Sequence, residues 1–200
     1  MCGIFALIEQ NKININPENA DEIFNKYKST MSNVYSKLHH RGPDQKGNNL
    51  IIDPNFKKTV LMMHTRLKIC GDDTTQPLVN DDNTIYLIIN GEIFNWKELS
   101  DELNYTCTKS DCEIIQLLYK HFTIEQIVNK IRGEYAFIIL DLNINKIIIP
   151  RDELGIRPIF YNITNNDISI SSEYKGLVNN NISKQIEPST IYIFNLNDYN

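Results

Sequence analysis

Residues 134–150 read EYAFIILDLNINKIIIP, two apolar runs with a short polar segment between them. Runs of this length, rich in isoleucine and aromatic residues, predict buried strands over 134–141 and 146–150. No segment long enough for a helix separates the two. The same kind of run recurs and predicts further strands at 3–8, 49–52, 60–64, 85–89, 158–161, 168–172 and 190–195.

Helical patterns are fewer than strand patterns. The strongest runs to Leu38, with Asn16 as a cap, Pro17 at its first position and apolar residues at helical spacing from Ala20. The segment His39–Gly47 contains Gly-Pro-Asp, which cannot continue a helix, and is predicted to be a loop.

Three more segments favour helix. One begins near Ser110, because Ser110 and Glu113 form an S-x-x-E capping box before apolar residues. Another covers 123–131, and a turn of helix is predicted around 173–178. Since strands and helices do not alternate regularly, the pattern predicts an α+β fold of mainly antiparallel sheets with helices packed outside.

Size and charge limit the function classes. Two hundred residues with 42% hydrophobic content suffice for one domain, predicted to span 2–200. The net charge is −5, and the cationic residues are scattered, which argues against nucleic acid or a membrane as the main partner. The opening MCGIFALI lacks a basic flank and predicts a strand rather than a signal peptide, so we expect a cytoplasmic protein.

The four cysteines, at positions 2, 70, 107 and 112, do not have the spacing of zinc ligands, and neither do the histidines. They are predicted to be free thiols, with no metal bound. The chain also lacks the glycine-rich loops that bind dinucleotides or nucleoside triphosphates. No cofactor is therefore expected in this domain.

Cys2 is the first candidate for chemistry. Removal of Met1 would leave a thiol and a free α-amine on one residue, so that the amine can take the thiol's proton. The alternative is a small buried residue, which is the commoner role of a cysteine at position 2.

Asn90-Gly91-Glu92 is the second candidate, because it follows the predicted strand 85–89. A carboxamide N–H and a glycine backbone N–H at a strand end could stabilise the oxyanion of an acyl-transfer reaction. The alternative is an ordinary Asn-Gly turn between two strands.

Arg66 and Asp111 form the third candidate. An amino-acid substrate needs a two-pronged donor for its α-carboxylate and a carboxylate for its α-ammonium group, and these two side chains have that chemistry. Each could equally be structural, Asp111 as a favourable charge in the first turn of a helix and Arg66 as a surface ion-pair partner.

Eight segments of the chain, in this order, resemble one known family. They are MCGIF at 1–5, HRGPDQKG at 40–47, HTRLKI at 64–69, NGEIFN at 90–95, KSDCEII at 109–115, GEYAFIILD at 133–141, RDELGIRPIFY at 151–161 and SSEYKGL at 171–177. The chain resembles class II (N-terminal nucleophile type) glutamine amidotransferase domains. It is most similar to the amino-terminal glutaminase domain of glutamine-dependent asparagine synthetases, which share R-G-P-D and S-S-E-x-K.

The resemblance implies a four-layer α/β/β/α sandwich of two mainly antiparallel sheets. It also implies a role for each matching residue. Cys2 would be the nucleophile, and Asn90 with the Gly91 backbone would form the oxyanion hole. The glutamine-binding residues would be Arg66, Leu67, Cys70, Asn90, Gly91, Glu92 and Asp111. The loops Arg41–Asp44 and Arg151–Pro158 would shape the site or face a partner domain.

The resemblance further implies that L-glutamine is the substrate and that its ammonia feeds asparagine synthesis from aspartate and ATP. The ATP-using synthetase domain, with its S-G-G-x-D-S loop, is absent from these residues, so ATP and Mg are expected in a C-terminal domain or a partner subunit. A homodimer is left open. The alternatives are the glutaminase domain of another amidotransferase, a different N-terminal nucleophile hydrolase, or a non-catalytic domain of the same fold.

Overall fold

The structure is a computed structural model, and it describes residues 1–10, 20–53, 58–68, 75–105, 110–178 and 183–197. The predicted helix start at Asn16–Pro17 and the pocket residue Cys70 lie outside these residues.

Two antiparallel sheets form the centre of the fold. The first has six strands in the order β10-β8-β9-β1-β3-β2, and the second has five in the order β11-β7-β6-β5-β4. The strands are β1 Gly3–Gln10, β2 Gln45–Asp53, β3 Lys58–Arg66, β4 Leu78–Val79, β5 Ile85–Ile93, β6 Gly133–Asp141, β7 Lys146–Pro150, β8 Phe160–Ile163, β9 Asp167–Ser171, β10 Lys184–Gln185 and β11 Ile191–Asn195.

In the part of the chain that the structure describes, four helices cover the outer faces of the sheets. They are α1 Ala20–Leu38, α2 Trp96–Glu102, α3 Glu113–Tyr119 and α4 Ile124–Lys130. Short 3₁₀ turns lie at His39–Arg41 and Tyr174–Gly176. No helix within the described residues is both long and apolar enough to cross a membrane.

Three apolar clusters hold four layers together. The central cluster lies between the sheets and includes Ile4, Met62 and Ile138. A second cluster packs α2, α3 and α4 on the five-stranded sheet, and a third packs α1 on the six-stranded sheet. Burial on both faces of each sheet explains why the strands read as nearly continuous apolar runs. The predicted α/β/β/α sandwich is confirmed.

The strands agree with the sequence prediction in position and differ in length. The predicted strands 49–52, 60–64 and 85–89 each extend to nine residues, because neighbouring strands continue the hydrogen-bonded ladder past the apolar run. For the same reason the predicted loop His39–Gly47 ends early, where Gln45 pairs with Arg66. Helix α2 and the two-residue strands β4 and β10 were not predicted.

The predicted capping box at Ser110 and Glu113 is wrong. Helix α3 begins at Glu113, three residues later, and its N-cap residue Cys112 makes no side-chain cap. The Ser110 hydroxyl instead accepts a hydrogen bond from the Cys112 backbone N–H at 3.1 Å. The true capping box opens α4, where Thr123 and Gln126 each bond the other's backbone N–H.

Candidate active site

Rows of inward-facing side chains create the site. On β3 the row that faces the other sheet runs Val60, Met62, His64 and Arg66, changing from apolar to polar toward one end. Strand β1 carries the matching row Ile8, Ala6, Ile4 and then Cys2, just before the strand begins. Side chains two apart share a face of a strand, so both rows lead from the core to the same end of the molecule.

Strands β5 and β6 show the same change on the facing sheet. On β5 the inward row runs Tyr86, Ile88, Asn90 and Glu92. On β6 the row Leu140, Ile138 and Ala136 ends in Glu134. The central core therefore ends in polar residues in all four rows, and those of the β1, β3 and β5 rows line a pocket.

Cys2 lies at the mouth of this pocket. Gly3 pairs with Thr65 across β1 and β3, which places Cys2 beside the residues that end β3. The Cys2 Sγ lies 3.8 Å from the Leu67 carbonyl oxygen, and the Arg41 Nε donates to the Cys2 carbonyl oxygen at 2.9 Å. The residue is partly exposed, so it is not the buried structural cysteine of the alternative interpretation.

Asn90 and Gly91 do not form a turn. Strand β5 continues to Ile93, so both residues lie inside a strand, paired with Ala136 and Tyr135 of β6. The alternative of an Asn-Gly turn is therefore wrong, and so is the expectation of a strand end. The apolar run ends at Ile89 because the inward side of the strand changes from core to pocket there.

The backbone of Gly91 faces away from β6. Its partner Tyr135 uses both of its own backbone groups on Asp152, accepting from the Asp152 N–H at 2.9 Å and donating to the Asp152 carboxylate at 3.3 Å. The Gly91–Tyr135 pair is thus a non-hydrogen-bonded pair. A Cβ on Gly91 would lie 2.5 Å from the Glu134 carbonyl oxygen, so the close approach of the two strands requires glycine.

The Asn90 side chain is 1% exposed, and neither its Oδ1 nor its Nδ2 has a hydrogen-bond partner among the described residues. Leaving buried polar atoms unpaired costs about 1–3 kcal/mol for each group. A buried amide left in this state inside a pocket has both a donor and an acceptor available for a bound molecule.

Arg66 and Asp111 line the same pocket. Arg66 is 6% exposed and donates from Nη1 to the Gln45 side chain at 2.9 Å, so it is not the exposed ion-pair partner of the alternative interpretation. Asp111 lies two residues before α3 rather than in its first turn, and its Oδ2 accepts from the Ile93 N–H at 2.8 Å. The helix-dipole interpretation of Asp111 is therefore wrong.

Every predicted catalytic or glutamine-binding residue that the structure describes lines the pocket. Its lining includes Cys2, Arg66, Leu67, Asn90, Gly91, Glu92 and Asp111. It also includes Arg157, which lies in the loop Arg151–Pro158 that was expected to shape the site or face a partner domain. The remaining lining residues were not predicted for the site: Met1, His64, Gln76, Ile89, Ser110 and Cys112. His64 could have been found from its alternation with Val60 and Met62, but Gln76 carries no such local signal.

Arg157 joins two acidic residues at the pocket edge. Glu92 and Glu134 face each other across β5 and β6, an arrangement in which two negative charges repel. The Arg157 guanidinium hydrogen-bonds Glu134 and lies 3.7 Å from Glu92, and its side chain is 6% exposed. One cation thus offsets part of the repulsion between the two carboxylates.

The loop before β8 is held by one carboxylate. Asp152 accepts from the backbone N–H of Ile156 at 2.9 Å and of Arg157 at 3.0 Å. These bonds keep the chain out of the sheet until Phe160, two residues later than predicted for this strand. They also fix the direction in which Arg157 leaves the backbone.

Burial and charge affect both groups at the amino end. Burial raises the pKa of the Cys2 thiol above its ordinary value, although the cations Arg66 and Arg157 oppose this. Burial lowers the pKa of the Met1 α-amine, and Arg157 and Arg41 lower it further. Both pKa shifts favour the uncharged forms, the neutral amine and the protonated thiol, relative to the ordinary groups.

The loop at Arg41–Asp44 supports the site from outside. The Arg41 guanidinium pairs with Glu173 at 2.6 Å, while Asp44 accepts from the Lys68 backbone N–H at 2.7 Å.

Within the described ranges, no group of three or more His, Cys, Asp or Glu side chains could hold a metal ion.

Comparison with known proteins identifies the family. The sequence model described as "Glutamine amidotransferase domain" matches residues 1–199. The chain is 31% identical over 185 residues to a protein named amidase chyE of Penicillium rubens. It is 33% identical over 184 residues to a probable glutamine-hydrolysing asparagine synthetase of Dictyostelium discoideum, and 31% identical over 183 residues to asparagine synthetase 1 of Bacillus subtilis.

These matches cover 89%, 88% and 89% of this chain, but only 26%, 30% and 27% of the respective relatives. The chain thus spans about a quarter to a third of the length of the curated relatives it matches.

Solved structures agree on the fold. Glutamine phosphoribosylpyrophosphate amidotransferase of B. subtilis superimposes with a TM-score of 0.68 at 21% identity, covering 96% of this chain and 47% of that protein. A structure described as the allosteric regulatory enzyme of purine biosynthesis gives 0.70 at the same identity and coverage. The match along the whole sequence and the sandwich fold lead to one conclusion: the chain belongs to the class II glutamine amidotransferase domain family.

Proposed function

We propose that this domain hydrolyses the side-chain amide of L-glutamine to L-glutamate and ammonia, with Cys2 as the nucleophile once Met1 has been removed. The observation that carries the proposal is the convergence of three groups on one pocket. They are the Cys2 thiol, the unpaired buried amide of Asn90 and the outward-facing backbone of Gly91.

The first half-reaction forms a thioester. The Cys2 α-amine takes the thiol proton, and the thiolate attacks the carboxamide carbon of glutamine. The negative charge that develops on the carbonyl oxygen is stabilised by the Asn90 Nδ2 and the Gly91 N–H. The carbon–nitrogen bond then breaks, and the protonated amine returns the proton to the leaving nitrogen, which departs as ammonia.

The second half-reaction uses water. The amine removes a proton from a water molecule, whose oxygen attacks the γ-glutamyl thioester. The carbon–sulfur bond breaks, the proton returns to the sulfur, and glutamate leaves. Partial burial raises the pKa of the Cys2 thiol and so favours its protonated form, which gives the neighbouring amine its role as base in this scheme.

Charged side chains would orient the amino-acid end of the substrate. Arg66 has the planar fork that suits the α-carboxylate, and the carboxylates of Asp111 and Glu92 suit the α-ammonium group. Leu67 lines the pocket beside Cys2, and Cys70 is proposed for the same wall because it directly follows the motif HTRLKI at 64–69.

We further propose that the ammonia feeds asparagine synthesis in a synthetase domain of the same polypeptide or in a partner subunit, where ATP and Mg would bind. The glutaminase half itself needs no cofactor in this scheme. Support comes from the asparagine synthetases among the relatives and from R-G-P-D at 41–44. A relative named as an amidase matches about equally well, so the release of ammonia is the more general part of the proposal. Within the described residues Cys2 and Cys112 form no disulfide, which suits the reducing cytoplasm.

The Cys2→Ala variant is expected to lose glutaminase turnover and to keep the stability of the parent protein, since the residue lies at the rim of the core. A glutamine-analogue affinity label should modify the amino-terminal peptide of the parent and leave the variant unmodified, as read by peptide mass spectrometry. Labelling of any other cysteine in the parent would remove the proposed nucleophile.

Asn90→Ala should lower kcat about 10²–10³-fold with a much smaller change in KM, because the amide stabilises charge that exists only in the transition state. Steady-state glutaminase kinetics measure both constants. Asn90→Asp, which keeps the shape and loses the donor, should be similarly impaired. A kcat near that of the parent in either variant would exclude the oxyanion role.

Arg66→Lys should mainly raise KM for glutamine, because a point charge cannot replace a planar two-pronged donor. Arg132→Lys is the matched control, since Arg132 is exposed and pairs only with Glu98 among the described charges. An unchanged KM in Arg66→Lys, or an equal rise in the control, would contradict the carboxylate contact.

A further inference from the structure

Ile89 precedes the two proposed oxyanion-hole residues on β5, and side chains hold both of its backbone groups. Its N–H donates to the Gln76 Oε1 at 2.7 Å. Its carbonyl accepts a hydrogen bond from the His64 ring across the gap between the sheets. Both side chains are buried, His64 at 1% and Gln76 at 8% exposure.

Side chains bond to the Ile89 backbone because strand β4 does not extend far enough to pair with it. Leu78 of β4 pairs with Leu87, so the next position on this edge of β5 that could pair is Ile89, opposite Gln76. Strand β4 begins only at Leu78, after Pro77, and the Gln76 side chain replaces the absent ladder bond. A Cβ on Gly47 would lie 1.9 Å from the Gln76 carbonyl oxygen, so Gly47 leaves the room in which Gln76 packs.

The contacts of His64 determine its tautomer. Its Nε2 is buried and has no partner among the described residues, so the bond to Ile89 comes from Nδ1. A proton on Nε2 would be a buried donor without an acceptor, which is unfavourable. Burial and the charge of Arg66 lower the pKa of the ring to about 3, so it stays neutral at the pH of an enzyme assay.

We propose that His64 and Gln76 are positioning residues that clamp the Ile89 peptide, so that the donors of Asn90 and Gly91 converge on one point. The inference rests on the glutaminase function proposed above. It assigns His64 no proton transfer, although a histidine close to a nucleophilic cysteine is commonly considered a base.

The clamp should act on kcat rather than on KM. Glutamine is held mainly through its charged α-groups, by Arg66 and Asp111, and these contacts do not pass through Ile89. Displacing the oxyanion donors weakens only an interaction that forms in the transition state. Displacements of about 1 Å in an active site can cost about 10²-fold in rate.

Paired variants separate hydrogen bonding from packing. His64→Leu and Gln76→Met remove the hydrogen bonds, and we expect kcat to fall about ten- to a hundredfold with KM changed less than about threefold. His64→Asn keeps a donor near the Nδ1 position, and Gln76→Glu keeps the acceptor, so both should recover most of the loss. The exposed His121→Asn is the control and should match the parent.

The double variant His64→Leu/Gln76→Met should lose less than the product of the two single effects, because both act on one peptide group. A parent-like kcat in His64→Leu, with Cys2→Ala still inactive, would overturn the clamp and leave the glutaminase proposal intact. Loss of activity in His64→Asn equal to that in His64→Leu would also overturn it.

Nitrogen-15 NMR of the histidine rings provides a test that needs no turnover, and the Cys2→Ala protein can be used. The expected result is one histidine in the Nδ1–H tautomer that does not titrate between pH 8 and about pH 4, and whose signals are lost in His64→Asn. An Nε2–H tautomer for His64, or titration near its ordinary pKa, would overturn the inference. No activity in the parent combined with the Nδ1–H tautomer would reject the function and keep the contact.

Discussion

The two-residue alternation of the β-strand is the constraint on which the site depends. Four central strands send every second side chain into the space between the sheets, and all four rows change from apolar to polar at the same end. The apolar part of each row packs the sheets together. The polar ends of three rows line the pocket instead of packing in that core, and they are Cys2, Arg66 and the pair Asn90 and Glu92. Packing and function thus share the same strands.

The free edge of β5 adds the backbone groups. Residues 89, 91 and 93 direct their N–H and C=O groups away from β6. Gln76 accepts from Ile89 and Asp111 accepts from Ile93, which fixes the strand on both sides of Gly91. The Cys112 Sγ lies 3.7 Å from the Gly91 carbonyl oxygen. In the proposed mechanism the Gly91 N–H on this held strand edge would be a preorganised donor, and preorganisation is what makes such donors effective in catalysis.

Much of the fold could be predicted because each sheet is buried on both faces. The resulting apolar runs marked nine strands, and the periodicity up to Leu38 marked α1. Errors occurred where a side chain competes locally with regular structure. Ser110 caps a turn and not a helix, and the carboxylate of Asp152 delays β8. The Asn-Gly pair was compatible with a turn, because β6, the strand that pairs with it, lies far away in the sequence and gives no local signal.

The candidate site was predicted through ordered motifs, and the geometry of its parts was not. Cys2, Asn90 and Asp111 were singled out by their chemistry, but their convergence depends on the pairing of β1 with β3 and of β5 with β6. Arg157 lies in a loop that was expected to shape the site or face a partner domain, but its own contacts were not predicted, because they follow from the cross-strand pair of Glu92 and Glu134, which no local pattern reveals. Gln76 was missed for a similar reason, since it replaces a strand that is absent.

The central claim is that an unblocked amino-terminal cysteine carries the acyl group. The most direct measurement is the mass of the amino-terminal peptide from protein quenched in acid during turnover of glutamine. The peptide is expected to begin at Cys2 and to carry one γ-glutamyl group. Treatment with hydroxylamine should remove this group. A peptide that retains Met1 and carries no adduct, from protein that still hydrolyses glutamine, would contradict it.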